Sequence, residues 1–196
     1  LIFVDEAHRI PMKGEGKYRR FIKDCTLANP RVRVVGMTAT PYRMGIGEVC
    51  HRDHILNEVA YTANVRDLIE AGYLCPLRSK VGDATPDVSG VKMRGGEYVA
   101  RELADATDRP ELVAAAMAEA VPMLKGREGV IFFCVDVDHC QHVSAELRRH
   151  GIEAPCVTGD TPTATRDRIA QRFIGGELRA ICNVNVLTEG FDATRT

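Results

Sequence analysis

"GVIFFCVDVDHCQHVSAELRRHGIEAPCVTGDTPTATRDRIAQRFIGGELRAICNV", Gly129 to Val184, holds three short apolar runs separated by two stretches of helical spacing. The runs are 129–135, 154–158 and 179–184. They are nearly continuous rather than alternating, the pattern of strands covered on both faces. Between the first two, Cys140, Val143 and Leu147 recur on one helical face, an Asp precedes them where a cap belongs, and Gly151 can supply the left-handed residue after the end. Between the second and third, Thr161 is placed to cap, Pro162 to open the helix, Ile169 and Phe173 to share a face, and Gly175 to stop it. A β-α-β-α-β order of this kind predicts an α/β fold with parallel sheets.

Upstream, "LIFV" (1–4) and "RVRVVGMT" (31–38) read as further strands, and 64–71 as a helix with Val65, Leu68 and Ile69 inward and Gly72 ending it. Residues 13–18, "KGEGKY", read as a loop leading into "YRRFIKDC". Residues 79–107, with "GDATPDVSG" and "RGGEY", are turn-rich and predict a hairpin or excursion. A helix near 110–121 follows; Pro110 suits its first turn, and Pro122 should kink or end it.

The chain of 196 residues is 45% apolar and 27% charged, enough for a packed core, and no apolar stretch nears the ~18–20 residues of a membrane span. A soluble protein without membrane contact is expected. The formal net charge of -1 excludes an overall basic field, so a nucleic-acid partner must be met by a local surface. Seven cysteines, odd in number and scattered through apolar runs, read as reduced thiols of a cytoplasmic protein.

The chemistry begins at "LIFVDEAHRI" (1–10), where an apolar strand delivers Asp5 and Glu6 at its carboxyl end, the edge where open parallel sheets bind ligands. One carboxylate there can hold Mg²⁺, directly or through water, and the second can orient an attacking water. In isolation such a pair reads equally as surface acids beside a helix start. The rest of the chain changes that reading: a second strand ends in "MTATP" (37–41), and far downstream comes "VTGDTPTATRDRIAQRFIGGELRAICNVNVLTEGFD" (157–192).

With these stretches the sequence resembles the superfamily-two helicases and translocases of the DEAD/DEAH-box type, in the RadD-like or restriction-motor-like branch. "DEAH" is similar to motif II, "TAT" to motif III, "VIFFCV" to motif IV and "NVLTEGFD" to motif V. The resemblance implies two RecA-like lobes, with ATP in the cleft and a nucleic-acid strand across the top. It implies a partial first lobe at 1–72, a connecting hairpin or excursion at 73–107, and most of a second lobe at 108–196. By the same resemblance Asp5 positions Mg²⁺, Glu6 polarises the hydrolytic water, and His8 couples the nucleotide site to Thr38 and Thr40. Gly190 and Asp192 line the nucleotide side of the second lobe, and Thr188 meets the nucleic-acid backbone. Thr158, Gly159 and Arg166 match the family's "HGD…R" segment, which holds phosphates without reading bases; Thr158 stands where many relatives have His. Single- or double-stranded nucleic acid, DNA favoured, is the implied partner, and ATP with Mg²⁺ the implied cofactors.

A phosphate-cradling loop, G-x-x-x-x-G-K-[ST], belongs upstream of motif II, and "KGEGKY" does not match it. An arginine-rich motif VI belongs after motif V, and an arginine finger is worth ~10³–10⁵ in rate. The 196 residues alone are therefore expected not to hydrolyse ATP, whereas the full-length protein should. The alternative class is a helicase-derived nucleic-acid or protein-binding module without motor activity. "CHRDH" (50–54) and "CVDVDHCQH" (134–142) invite a zinc reading, but neither has paired C-x₂-C elements.

Overall fold

The structure, a computed structural model, describes residues 1–12, 14–43, 47–94, 97–188 and 191. The chain divides into two compact units, one built on Leu1–Ser79 and the other on Lys80–Arg94 and the residues from Tyr98 onward.

In the first unit β1 (Ile2–Val4) ends in one turn of 3-10 helix (Ala7–Arg9), followed by α1 (Lys17–Ala28), β2 (Val34–Gly36), the short β3 (Tyr42–Arg43) and β4 (Gly47–Glu48), and α2 (Val65–Glu70). Strands β1 and β2 pair in parallel with Ile2 opposite Val34 and Val4 opposite Gly36, while β3 and β4 pair antiparallel. Val4, Ala7, Ile10 and Ile22 form the core, with Ile2, Val34, Ile55 and Leu56 packed around them. Helix α1 occupies a stretch to which no helix was assigned from sequence. Its only buried residue is Ile22, and Phe21 and Leu27 face solvent, so its apolar pattern does not mark one buried stripe. In α2 the Asn64 side chain accepts from the Arg66 amide at 2.9 Å. Leu68 and Ile69 are half-buried there, but Val65, expected inward, is exposed, because only the second turn of this short helix reaches other residues.

Strands β5 (Met93–Arg94) and β6 (Glu97–Tyr98) form a small sheet of their own. Then come α3 (Ala100–Thr107), α4 (Pro110–Met123), β7 (Val130–Phe133), α5 (Val137–Arg149), β8 (Cys156–Val157), α6 (Thr163–Ile174) and β9 (Ala180–Asn183). Helix α3 lies within the stretch expected to be turns and burns no long apolar run: Ala104 is its one buried residue. Pro122 falls in the last turn of α4, which stops one residue later. The turn-rich residues before α3 are held by carboxylates. Glu119 accepts the Asp83 and Ala84 amides, both at 2.9 Å, and Glu102 accepts the Lys92 amide at 2.8 Å. These backbone hydrogen bonds hold both carboxyls below the usual glutamate range.

The second unit's sheet is parallel in the order β7-β9-β8. All four residues of β9 are buried, because alternate side chains feed two cores. Ala180 and Cys182 join Val113 and Met117 of α4 and Cys140, Val143 and Leu147 of α5. Ile181 joins Val157, Leu178 and the α6 residues Ile169 and Phe173 on the other face. Helix α5 is capped as expected, the Asp136 side chain accepting from the His139 amide at 2.9 Å, and Gly151 is left-handed at φ 75°. At α6 the expected caps shift by one residue: Pro162 is the cap, Thr163 opens the helix, and Gly176 rather than Gly175 takes the left-handed conformation.

Candidate functional site

The first cluster sits at the carboxyl tips of β1 and β2. Two backbone bonds zip these tips together, Met37 N–H to Val4 C=O and Ala7 N–H to Met37 C=O, both at 2.9 Å. Glu6 turns the chain out of the strand in the left-handed conformation, φ 47° and ψ 47°, unusual for a residue with a Cβ. Its amide donates to Asp5 Oδ1 at 2.8 Å, so both carboxylates stay at the tip.

The same zipper brings the loop after β2 to His8. His8 Nδ1 lies 2.9 Å from Thr38 Oγ1, 3.1 Å from Thr40 Oγ1 and 3.3 Å from Glu6 Oε2. The Thr40 amide donates to Thr38 Oγ1 at 3.0 Å, fixing the spacing of the two hydroxyls. One imidazole nitrogen offers a single proton or a single lone pair. It therefore donates to Glu6 when protonated and accepts from a threonine when not, so the acid and the threonine loop compete for one atom. Asp5 and Glu6 also supply hard oxygen donors of the kind Mg²⁺ takes.

Gly36 makes this closeness feasible, a role that sequence reading missed. A Cβ there would fall 2.7 Å from the Ala7 Cβ and 2.5 Å from Leu56 Cδ1. Gly36→Ala is expected to destabilise the first unit by about 1–3 kcal/mol, the usual range for overpacking. Urea unfolding monitored through exchange of the β1 amides would measure it; an unchanged midpoint would contradict the close approach.

The second cluster lies where β8 and β9 end. In the loop after β8 the Thr158 amide donates to Thr161 Oγ1 at 2.9 Å, and the Thr161 amide returns to the Thr158 carbonyl at 3.1 Å. Thr161 thus ties the loop rather than capping α6. Gly159 has no atom within 4 Å of where a Cβ would stand, so no packing demands glycine and the bare backbone faces open space. Arg166, in the first turn of α6, donates from Nη2 to the Thr161 carbonyl at 3.3 Å, while its Nε is buried with no partner among the described residues. A helix start without acids, open backbone and a guanidinium make a site suited to a phosphate.

Thr188 is exposed at the end of the loop after β9. Asn183 organises that loop and was not singled out from sequence, although an amide inside "AICNV" is the signal. Fully buried, it donates to the Phe132 carbonyl at 3.2 Å and accepts the Leu187 amide at 3.3 Å. Gly190 and Asp192 lie outside the described residues. Of the cysteine-histidine stretches, His54 turns its Nδ1 to the Val49 carbonyl and His142 pairs with Asp108 at 2.8 Å. Among the described residues no three His, Cys, Asp or Glu side chains are grouped to hold a metal ion, and no helix is long and apolar enough to cross a membrane.

Residues 113–196 match the model of the helicase conserved C-terminal domain. The chain is 25% identical over 194 residues to the "Putative ATP-dependent helicase IRC3" of Saccharomyces cerevisiae, covering 98% of this chain and 28% of that protein. It is 28% identical over 193 residues to a "51.5 kDa protein" of a Lactococcus phage, covering 98% and 40%. With the "Putative mitochondrial ATP-dependent helicase irc3" of Schizosaccharomyces pombe it shares 26% over 204 residues, covering 98% and 31%. The chain thus spans well under half the length of these relatives. Residues 113–196 are a helicase conserved C-terminal domain of RecA-like fold, and with its helicase-named relatives the chain belongs among the superfamily-two helicases.

Proposed function

We propose that this chain carries the magnesium-side acids and part of the nucleic-acid track of an ATP-driven motor that moves along DNA or RNA, DNA favoured. The observation that carries this reading is the single His8 nitrogen within 3.3 Å of Glu6, Thr38 and Thr40. In this reading Asp5 holds Mg²⁺ directly or through water, and Glu6 orients the water that attacks the terminal phosphate. Bound ATP and Mg²⁺ would supply the leaving group and its charge neutralisation. His8 passes the state of Glu6 to the threonine loop, while Thr158, Gly159, Arg166 and Thr188 hold phosphates of the strand, so affinity is sequence-tolerant and falls with salt. Gly190 and Asp192 are assigned to the nucleotide side by resemblance. The 196 residues alone do not turn over ATP, since they contain no G-x-x-x-x-G-K-[ST] loop. Seven free cysteines support a reducing compartment, the cytoplasm in this reading; the Schizosaccharomyces pombe relative is mitochondrial by name.

The test is ATP turnover by the full-length protein with and without single-stranded DNA or RNA. Wild type should need Mg²⁺ and be stimulated by nucleic acid. Thr38→Ala with Thr40→Ala should keep basal turnover and lose most of the stimulation. Turnover indifferent to nucleic acid in the wild type would instead favour a binding module without motor activity.

A further inference from the structure

The face of the second unit's sheet beneath α5 gathers four thiols from four successive elements. Cys156 and Cys182 are register partners on β8 and β9. Cys182 also stands opposite Phe132 on β7, so Cys134, two residues further along, projects from the same face. Cys140 comes down onto that face from α5, with no exposure. The four interlock. Cys156 Sγ donates to the Cys140 carbonyl at 3.1 Å, and the Cys140 and Cys182 thiols both hydrogen-bond to Cys134. Cys134 lies just past the carboxyl end of β7 and keeps 8% of its surface exposed, while Cys140 and Cys182 are closed off entirely.

We propose that Cys134 is an oxidation site for small hydroperoxides and that Cys140 resolves the product into a disulfide. Cys182 is less suited as resolver: it lies diagonally across the β7–β9 pair, where Cα atoms are on the order of 7–8 Å apart, beyond the roughly 4.4–6.8 Å that a disulfide spans. In the first step the Cys134 sulfur attacks one oxygen of hydrogen peroxide. The O–O bond breaks, sulfenic acid forms and hydroxide leaves. The Cys140 sulfur then attacks the sulfenic sulfur, the S–S bond forms, and the expelled hydroxide leaves as water with the Cys140 proton. Two sulfurs each lose one electron and the peroxide gains two.

The surroundings favour attack by this sulfur. Hydrogen bonds from Cys140 and Cys182 hold the Cys134 thiol well below the usual thiol range, against burial and the charges of Cys156 and Asp108. Donation to Cys134 and burial push Cys182 up, and Cys156 is pushed up beside Cys140. His139 on α5, also facing this region, is kept toward its neutral form by burial. Of the four, Cys134 is the thiol that ionises first.

The test treats the natively folded chain with hydrogen peroxide near stoichiometry, blocks remaining thiols and maps the cysteines by mass spectrometry. A Cys134–Cys140 disulfide is expected in the wild type. In Cys140→Ser, a Cys134 sulfenic acid trapped by dimedone should replace it, and in Cys134→Ser the other three should stay reduced. The Cys134 oxidation rate should fall less than about tenfold between pH 7.5 and 5.5, against about 100-fold for free cysteine in the same tube. Oxidation confined to the exposed Cys75, or a Cys134 rate that drops as steeply as free cysteine, would overturn the proposal. The Cys140→Ser arm keeps it decidable should Cys134→Ser fail to fold.

Discussion

Glu6→Gln in the full-length protein is expected to lower ATP turnover by about 10²–10⁴-fold, the usual contribution of a positioned proton acceptor, with nucleotide binding retained. Glutamine keeps the volume at the strand tip but removes the negative charge that would orient a water. The local backbone supports a functional rather than a packing role. Glu6 stands at φ 47°, where a side chain with a Cβ costs on the order of 1 kcal/mol that glycine would not. Glu6→Gly should therefore be equally inactive without being less stable, whereas a residue retained for packing would lose stability with it. Steady-state turnover beside thermal unfolding of both variants makes the measurement. Glu6→Gln turnover within a few-fold of wild type would remove Glu6 from the chemistry.

Phe173→Ala should cost the second unit about 3–5 kcal/mol, a large share of the roughly 5–15 kcal/mol a domain has. Phe173 is 2% exposed and belongs to the core of Val157, Ile169, Leu178 and Ile181, with the Phe191 ring 6.3 Å away. Removing the ring leaves a cavity between α6 and the sheet. Phe133→Ala is the control: at 63% exposure it should change stability by no more than about 0.5 kcal/mol. Hydrogen exchange of the β9 amides reports both, since those amides exchange only when this sheet opens. Equal protection in the two variants would show that the α6 face contributes little.

Much of the second unit was legible because its signals are local. Cys140, Val143 and Leu147 repeat at the period of one buried stripe, and Asp136 and Gly151 mark its ends. The α6 start was misread by one residue: both Thr161 and Pro162 suit a helix start, and the Thr158 amide, brought close by the loop, claimed the Thr161 hydroxyl. Helix α1 was not assigned because exposed Phe21 and Leu27 blur its stripe, and α3 because a single alanine is all it buries. At the candidate site the residues were nameable from their order at strand ends. That Thr38 and Thr40 share one nitrogen of His8 with Glu6 rests on pairing across some thirty residues.

From sequence alone came the parallel α/β order, the acids at a strand tip and the sequence of motifs, since strand and helix periods, caps and breakers act over a few residues. The tertiary structure decided what meets what: the hydroxyls at His8, the space left by Gly36, the carboxamide of Asn183 beneath the loop after β9, and four scattered cysteines on one face of one sheet. Each of these depends on the register between distant strands, which is set only when the whole core packs.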